Sequence, residues 1–183
     1  NIEQLGDTSP SQVSYFSIEE KLVKLVDDNE SAAEFSQAFE HMPASSSVIG
    51  LDCEWPPNEQ GISICQVASS TCVWILDLTW ACKTQNQNVP GRLQQLLAEP
   101  RLLKLGFAFQ EDLDRLHKAL NEFGGISAGI KNFVDLQIDS RGLAVLFRDT
   151  TGHLLDKSLQ CSSWGTRPLS AAQIRYAATD AFC

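Results

Sequence analysis

Two carboxylates, Asp52 and Glu54, lie one residue apart at the end of the apolar run "VIGLDCEW" (48–55). Side chains alternate between the faces of a β-strand, so this spacing places both carboxylates on one face. Two negative charges side by side on a buried strand are costly unless something neutralises them. The pair leaves two alternatives open, a bound cation or a solvated pair on an edge strand.

A second acidic group follows the apolar segment of "KLGFAFQEDLDRL" (104–116), which predicts a buried strand running into a helix. The first turn of that helix carries Glu111, Asp112 and Asp114. Carboxylates favour helix N-termini, so ordinary helix stabilisation is the alternative to a functional role here.

The third group lies in "LSAAQIRYAATDAF" (169–182), where Ser170 and Gln173 predict a capping box at the start of a helix. Tyr176 and Asp180 are four residues apart and therefore share one face of that helix. The alanines around them would let the helix lie close against a neighbour. A Tyr–Asp pair on a solvated face is the alternative.

The elements that must position these residues can be read from the hydrophobic pattern. Three consecutive strands in the first half favour an antiparallel meander, and strands then alternate with helices. This order predicts an α/β fold with a mixed sheet covered by helices. Strands are predicted at 21–28, 47–55, 61–70, 71–79 and 102–109, a strand or an extended segment at 132–140, and helices at 29–42, 91–100, 110–120, 140–150 and 169–182.

Length and composition suit one globular domain, since the chain has 183 residues of which 43% are apolar and 20% charged. We expect residues 1–17 to be an N-terminal linker or extension and residues 18–183 to be the domain. The chain stops inside a helical pattern, which predicts a fragment of a longer protein. No apolar run approaches the ~20 residues of a membrane span.

The cysteine content and the net charge limit which compartments and functions fit this chain. Six cysteines without a C-x-x-C pair, beside three histidines, argue against zinc and favour a reducing, intracellular compartment, with the cytoplasm expected. Taken alone, a net charge of −9 argues against a nucleic-acid-binding protein, which usually has a basic surface.

Taken in order, the three acidic groups resemble the motifs of the DEDD superfamily of 3′–5′ exonucleases, in the tyrosine-containing subclass and its ribonuclease D group. The segment "LDKSLQCSSWGTRPLSAAQIRYAATDA" (155–181) is especially similar to the exonuclease domain of Mut-7 and Nibbler proteins. The resemblance covers residues 20–183 and implies a ribonuclease H-like fold, a mixed β-sheet flanked by helices.

The resemblance also implies the active-site residues and their cofactors, two divalent cations, Mg²⁺ or Mn²⁺. Asp52 would bridge both ions, Glu54 and Asp180 would hold the ion on the water side, and Asp112 would support the other, partly through water. Tyr176 would orient or deprotonate the attacking water, and the usual phenol pKa of ~10 favours orientation. Asp114 competes with Asp112 for the second motif, and the family's "E-D-L" ending favours Asp112.

A short single strand needs only local positive charge and stacking surfaces. Two alternatives to substrate binding stay open. One is that Trp164 is a core residue, and the other is that Lys157 forms an ion pair with Asp156. The candidate substrate-binding residues are Trp55, Lys157, Trp164, Arg167 and Arg175.

The function that the resemblance implies is removal of nucleotides from the 3′ ends of single-stranded RNA. The Mut-7 and Nibbler similarity implies trimming of microRNA or piRNA ends, with a loaded Argonaute or Piwi protein as a partner and no membrane. Three alternatives remain: a single-stranded DNA exonuclease, a catalytically silent nucleic-acid-binding module, and an acidic protein-interaction domain with solvated carboxylates.

Overall fold

The computed structural model describes residues 14–19, 22–40, 48–123 and 129–183. Within these residues six strands form one sheet: β1 (Val23–Val26), β2 (Val48–Glu54), β3 (Ile64–Ala68), β4 (Val73–Asp77), β5 (Leu103–Gly106) and β6 (Phe133–Asp135). Their order across the sheet is β1-β4-β3-β2-β5-β6. β2, β3 and β4 form the predicted antiparallel meander, while the outer neighbours pair in parallel.

Helices cover both faces of the sheet. The described residues form α1 (Asn29–Ala38), α2 (Leu78–Thr84), α3 (Asn88–Ala98), α4 (Gln110–Asn121), α5 (Leu143–Thr151) and α6 (Ala171–Phe182). Apolar residues of α1, α3 and α4 share one core cluster with the sheet, and α6 packs in a second cluster on the opposite face. The predicted mixed sheet flanked by helices is therefore confirmed.

Alternation along β2 decides which residues meet which layer. Ile49, Leu51 and Cys53 belong to the first core cluster. Gly50 and Asp52 point the other way, towards α6, and Glu54 follows with the same period. The acidic pair thus faces the helix that carries Tyr176 and Asp180.

The predicted strand 71–79 is wrong at its end, because β4 stops at Asp77 and the unpredicted helix α2 begins at the next residue. The Asp77 carboxylate accepts a hydrogen bond from the Trp80 backbone N–H at 2.8 Å, which caps the new helix. A run of apolar residues through 71–79 does not by itself distinguish a strand from a buried first helical turn.

The segment 132–140, predicted to be a strand or an extended segment, forms a strand over Phe133–Asp135. The helix predicted at 29–42 ends at Ala38, and residues 41–42 lie outside the described residues. α6 begins after the predicted capping box, in which Ser170 Oγ accepts from the Gln173 backbone N–H at 3.2 Å.

The predicted linker meets the domain over its described part. Tyr15 forms a parallel bridge with Leu154, and the Phe16 ring lies 5.3 Å from that of Phe147. Residues 14–17 therefore pack on the domain rather than leaving it, whereas residues 1–13 lie outside the described part. Across the residues that the structure describes, no helix has the length and apolarity needed to cross a membrane.

Candidate active site

A cleft of about 860 Å³ opens between β2, the β5–α4 turn and α6. Its lining includes the four predicted metal-ligating carboxylates and the predicted tyrosine: Asp52, Glu54, Asp112, Tyr176 and Asp180. All of them except Asp52, which is partly buried, are less than a tenth exposed. The fold therefore brings together three acidic groups that lie far apart in the sequence.

Gly50 explains how closely α6 approaches β2. A Cβ atom placed on Gly50 would lie 2.2 Å from the Ala181 carbonyl oxygen, a distance that no side chain tolerates. Ala177, Ala178 and Ala181 add little bulk on the same helix, and all are buried. The absence of a side chain at Gly50 thus lets Asp180 come within reach of Asp52.

The turn between β5 and α4 delivers the second acidic group. The Asp135 carboxylate accepts hydrogen bonds from the backbone N–H groups of Ala108, at 2.9 Å, and Phe109, at 3.0 Å. Ala108 has a φ of 52°, a left-handed conformation that these bonds hold in place. Asp135 therefore fixes the start of α4.

The structure separates the two candidates for the second motif. Asp112 is 7% exposed and lines the cleft. Asp114 is exposed on the outer face of α4, where it accepts a hydrogen bond from Gln110 Nε2 at 3.2 Å. This placement favours Asp112, as the sequence did.

Three of the carboxylates form a compact group. One oxygen each of Asp52, Glu54 and Asp180 lies within 4.8 Å of the other two. Hard oxygen ligands at such spacing suit Mg²⁺ or Mn²⁺, and the residues present fit a divalent cation for that reason. Asp112 lies outside this group of three. A second cation with Asp112 as a ligand would therefore bind on the side of the group that faces α4.

The electrostatics of the cleft point the same way. Burial, followed by the charges of Asp52 and Asp180, raises the pKa of Glu54 to about 9. Burial, together with the charges of Asp180 and Asp112, also raises the pKa of Asp52 well above its usual range. Burial raises the pKa of Asp112 to about 7. Carboxyl groups with pKa values raised in this way ionise readily only when a positive charge lies beside them.

Lys157 supplies one positive charge inside the cleft. Its ammonium lies 2.8 Å from Asp180 Oδ2, and it also lies over the Tyr176 ring, 5.8 Å from the centroid. Asp156, the alternative partner considered from sequence, instead accepts the Ser158 backbone N–H at 2.8 Å. Lys157 is therefore part of the acidic site.

The Tyr176 side chain projects into the same cleft from α6. Burial and the negative charges of Asp180 and Glu54 raise its pKa above the usual value of a phenol. Its hydroxyl has no hydrogen-bond partner within the part of the chain that the structure describes. A protonated hydroxyl without a protein partner is suited to bind a water molecule or a substrate atom in the cleft.

Comparison with known families gives this arrangement its context. Residues 23–183 match the family described as 3′–5′ exonuclease. The chain belongs to the 3′–5′ exonuclease family. This confirms the predicted family, and with it the class of hydrolase that the motifs indicated.

Curated relatives of the exonuclease domain include mut-7 homologues. The present chain is 33% identical over 169 residues to the exonuclease mut-7 homologue of Aedes aegypti, and the match covers 75% of this chain and 22% of that protein. It is 31% identical over 164 residues to the human homologue, covering 74% of this chain and 19% of that protein. The chain thus spans about a fifth of these relatives.

Solved structures support the same fold. The crystal structure of the Aedes aegypti Nibbler EXO domain superposes with a TM-score of 0.78 at 28% identity, covering 93% of this chain and 87% of that one. Escherichia coli RNase D superposes with a TM-score of 0.69 at 24% identity, covering 87% and 41%, and shows the fold alone. The predicted ribonuclease H-like fold is confirmed.

Two of the five predicted substrate-binding residues, Trp55 and Lys157, line the cleft of the exonuclease domain. The Trp55 ring stacks with Arg115, whose guanidinium carbon lies 4.4 Å from the ring centroid. Arg115 also donates to Glu111 Oε1 and to the Glu59 carbonyl. No motif in the sequence marks Arg115, although its position three residues after Asp112 makes the two side chains neighbours on α4.

Trp164 and Arg167 have structural roles, which corrects the prediction that they bind substrate. Trp164 is fully buried against Tyr176, so no face of its ring is open to a base. Arg167 forms a two-pronged ion pair with the buried carboxylate of Asp77. This bond ties the segment before α6 to the end of β4.

Arg175, the fifth predicted residue, is exposed on α6 and does not line the cleft. Consecutive residues of a helix project about 100° apart, so Arg175 lies on a different side of α6 from Tyr176. Arg175 therefore lies outside the cleft itself, and its contact with substrate stays a prediction.

Proposed function

We propose that this domain is a metal-dependent exoribonuclease that removes nucleotides from the 3′ end of single-stranded RNA. The observation that carries the proposal is the group of three carboxylate oxygens within 4.8 Å of one another on the floor of an open cleft. Asp112 and Tyr176 border the same cleft, within reach of the proposed cation site.

Asp52, Glu54 and Asp180 would hold a divalent cation, and Asp112 with Asp52 would hold a second. Cations bound there would supply an activated water and would stabilise the charge on the leaving 3′ oxygen. The carboxylates hold their positions because β2, α4 and α6 are packed elements of the sheet and its helices. That rigidity keeps the reacting groups aligned.

Tyr176 orients the attacking water rather than deprotonating it. Its raised pKa keeps the hydroxyl protonated at neutral pH, so it is a hydrogen-bonding group and a poor base. Its buried ring is fixed against Trp164, 5.9 Å away between ring centroids. A fixed ring holds the hydroxyl at one place in the cleft.

Lys157 and Trp55 are the proposed substrate contacts. The Lys157 ammonium lies beside Asp180, where it can approach a phosphate of the terminal nucleotide. Trp55 follows the first motif directly and lines the cleft, where its ring can stack with a base. Arg115, which stacks on Trp55, adds positive charge at that edge.

We favour RNA over DNA as the substrate because one of the curated relatives is a ribonuclease. Ribonuclease D of Granulibacter bethesdensis is 31% identical over 134 residues, covering 69% of this chain and 30% of that protein. Trimming of microRNA or piRNA ends in the cytoplasm, with an Argonaute or Piwi protein as carrier, is the finer form of the proposal. It draws on the similarity to Mut-7 and Nibbler proteins.

The experiment that tests the proposal uses 5′-labelled single-stranded RNA with Mn²⁺, beside the same reaction in EDTA. The parent protein should give a ladder that shortens from the 3′ end, and D52N should give none. D114N, which changes an exposed carboxylate outside the cleft, is the matched control and should cut like the parent. Single-stranded DNA of the same sequence tests the choice of nucleic acid.

Each result is decisive for one part of the proposal. Equal cutting of DNA and RNA would remove the preference for RNA but keep the exonuclease. A folded parent that binds Mn²⁺ and RNA without cutting would indicate a catalytically silent binding module. A folded parent with no thermal response to Mn²⁺ would leave an acidic protein-interaction domain.

A further inference from the structure

A buried amide lies directly beside the first catalytic carboxylate. Gln66 on β3 is the antiparallel partner of Asp52 on β2, so their side chains project from the same face of the sheet. This is the face on which α6 packs. The other cross-strand neighbour of Gln66 is the apolar Ile75 on β4.

Gln66 is fully buried, and both polar atoms of its side chain lack a hydrogen-bond partner among the described residues. Leaving an amide unpaired in the interior is unfavourable, because it has lost its bonds to water. An apolar side chain of the same length would avoid that cost. The presence of glutamine therefore calls for a partner that forms when the site is in use.

Reach and chemistry identify that partner. Directly opposed side chains in an antiparallel pair have Cβ atoms about 5 Å apart. The Gln66 side chain can span that distance with its amide, and Asp52 is the only neighbour in its cross-strand row with a charge. An ionised carboxylate accepts an amide N–H strongly in such surroundings.

We infer that Gln66 is a positioning residue, whose side-chain N–H donates to the Asp52 carboxylate when Asp52 holds a cation. The inference rests on the proposed function. The hydrogen bond would hold the Asp52 carboxylate in one orientation. Outer hydrogen bonds of this kind orient metal ligands in proteins.

The test compares Gln66→Met, which keeps length and loses both hydrogen-bonding groups, with the parent. Metal-free Tm, Mn²⁺ affinity and the RNA kcat and KM are measured for each. We expect an unchanged or higher metal-free Tm, about 10-fold weaker Mn²⁺ binding and a lower kcat at unchanged KM. Ile75→Val, at the other neighbour of Gln66, is the matched control and should keep parent affinity.

A double-mutant cycle with Asp52→Asn locates the effect. If Gln66 acts through Asp52, adding Gln66→Met to Asp52→Asn should weaken residual Mn²⁺ binding no further. Parent-like Mn²⁺ affinity in Gln66→Met would overturn the inference, and so would a lower metal-free Tm with unchanged affinity. If the parent binds no Mn²⁺, the proposed function and this inference fail together. If the parent and Gln66→Met bind Mn²⁺ equally well, only this inference fails.

Discussion

The ammonium of Lys157 lies 2.8 Å from Asp180 Oδ2, within the group of carboxylates proposed to hold cations. Only 5% of the Asp180 side chain is exposed, so the pair is shielded from water on the acidic side. An ammonium at this place offsets part of the repulsion between the carboxylates. Lys157 therefore acts as an internal counter-ion to the site, and a cation that binds there must compete with it.

Replacing Lys157 by methionine should have opposite effects on stability and on metal binding. The metal-free Tm should fall by several degrees because the carboxylates lose their counter-ion. Mn²⁺ should bind several-fold more tightly because it no longer displaces an ion pair. Thermal unfolding in EDTA and a Mn²⁺ titration measure the two effects.

Lys24→Met is the matched control for that variant. Lys24 forms an ion pair with Glu34 at the same 2.8 Å, but both side chains are about half exposed. Pairs of this kind contribute about 0–1 kcal/mol, so both measurements should stay near those of the parent. Unchanged Mn²⁺ affinity and unchanged Tm in Lys157→Met would contradict the counter-ion role.

Asp112→Asn and Asp114→Asn should separate the two acids of α4. Asp112→Asn should lower kcat at least about 100-fold, since even outer partners of metal ligands are worth up to that factor. Asp114→Asn should stay within about twofold, because Asp114 is exposed and pairs with Gln110. Single-turnover rates on labelled RNA make the comparison, and equal losses in both variants would refute the assignment.

Metal binding should strengthen as the pH rises from 5.5 to 8.5. The pKa of Glu54 is raised to about 9 and that of Asp112 to about 7, so both carboxyls keep protons that a cation must displace. A carboxyl group whose pKa is raised by folding stabilises the folded state in full only below its ordinary pKa, about 4. This contribution is lost as the pH rises through the folded-state pKa. The metal-free Tm should therefore fall over this pH range while the Mg²⁺-induced gain in Tm increases.

Calorimetry in buffers of different ionisation enthalpy should detect the protons released when Mg²⁺ binds. Glu54→Gln should release fewer protons when it binds Mg²⁺, and its metal-free Tm should fall less between pH 5.5 and pH 8.5. A metal-free Tm that rises steadily over the same range would contradict the raised pKa values.

Arg167→Met should destabilise the domain without changing its contact with RNA. The guanidinium pairs with the Asp77 carboxylate, which is 2% exposed, and removing one member of such a pair costs about 3–5 kcal/mol. Urea unfolding measures this loss, and the RNA KM per folded molecule should stay at the parent value. Arg101→Met, which breaks the exposed pair with Glu99, is the control and should cost under about 1 kcal/mol.

Gly50→Ala should push α6 away from β2. The new methyl group would meet the Ala181 carbonyl oxygen at 2.2 Å, so the helix must shift and Asp180 must move from Asp52. We expect a lower Tm and loss of the Mn²⁺-induced gain in Tm. Gly61→Ala, where a Cβ meets nothing within 4 Å, should behave like the parent. Parent-like Tm and Mn²⁺ response in Gly50→Ala would show that the close approach is dispensable.

Local patterns were enough to predict most elements and the candidate chemistry. Alternation in β2 put Asp52 and Glu54 on one face, and the four-residue spacing put Tyr176 and Asp180 on one side of α6. The Ser170–Gln173 capping box also formed as predicted. These features depend on neighbours in the sequence, so short-range sterics and hydrogen bonding determine them.

Partners distant in the sequence could not be chosen in this way. Lys157 pairs with Asp180, 23 residues away, rather than with its neighbour Asp156. Arg167 meets Asp77, 90 residues away, and thereby leaves the set of substrate-binding candidates. Composition marks such residues as charged, but only the packing of elements decides which opposite charge lies within reach.

The order of the acidic motifs along the chain, and the pattern of strands and helices that carries them, were enough to predict the type of fold. The tertiary structure decided that Asp112 and not Asp114 faces the cleft, that Trp164 is core, and that Gly50 admits α6. The reason is physical. Periodicity fixes which face a side chain takes on its own element, whereas the distance between elements depends on the volumes of all the side chains packed between them.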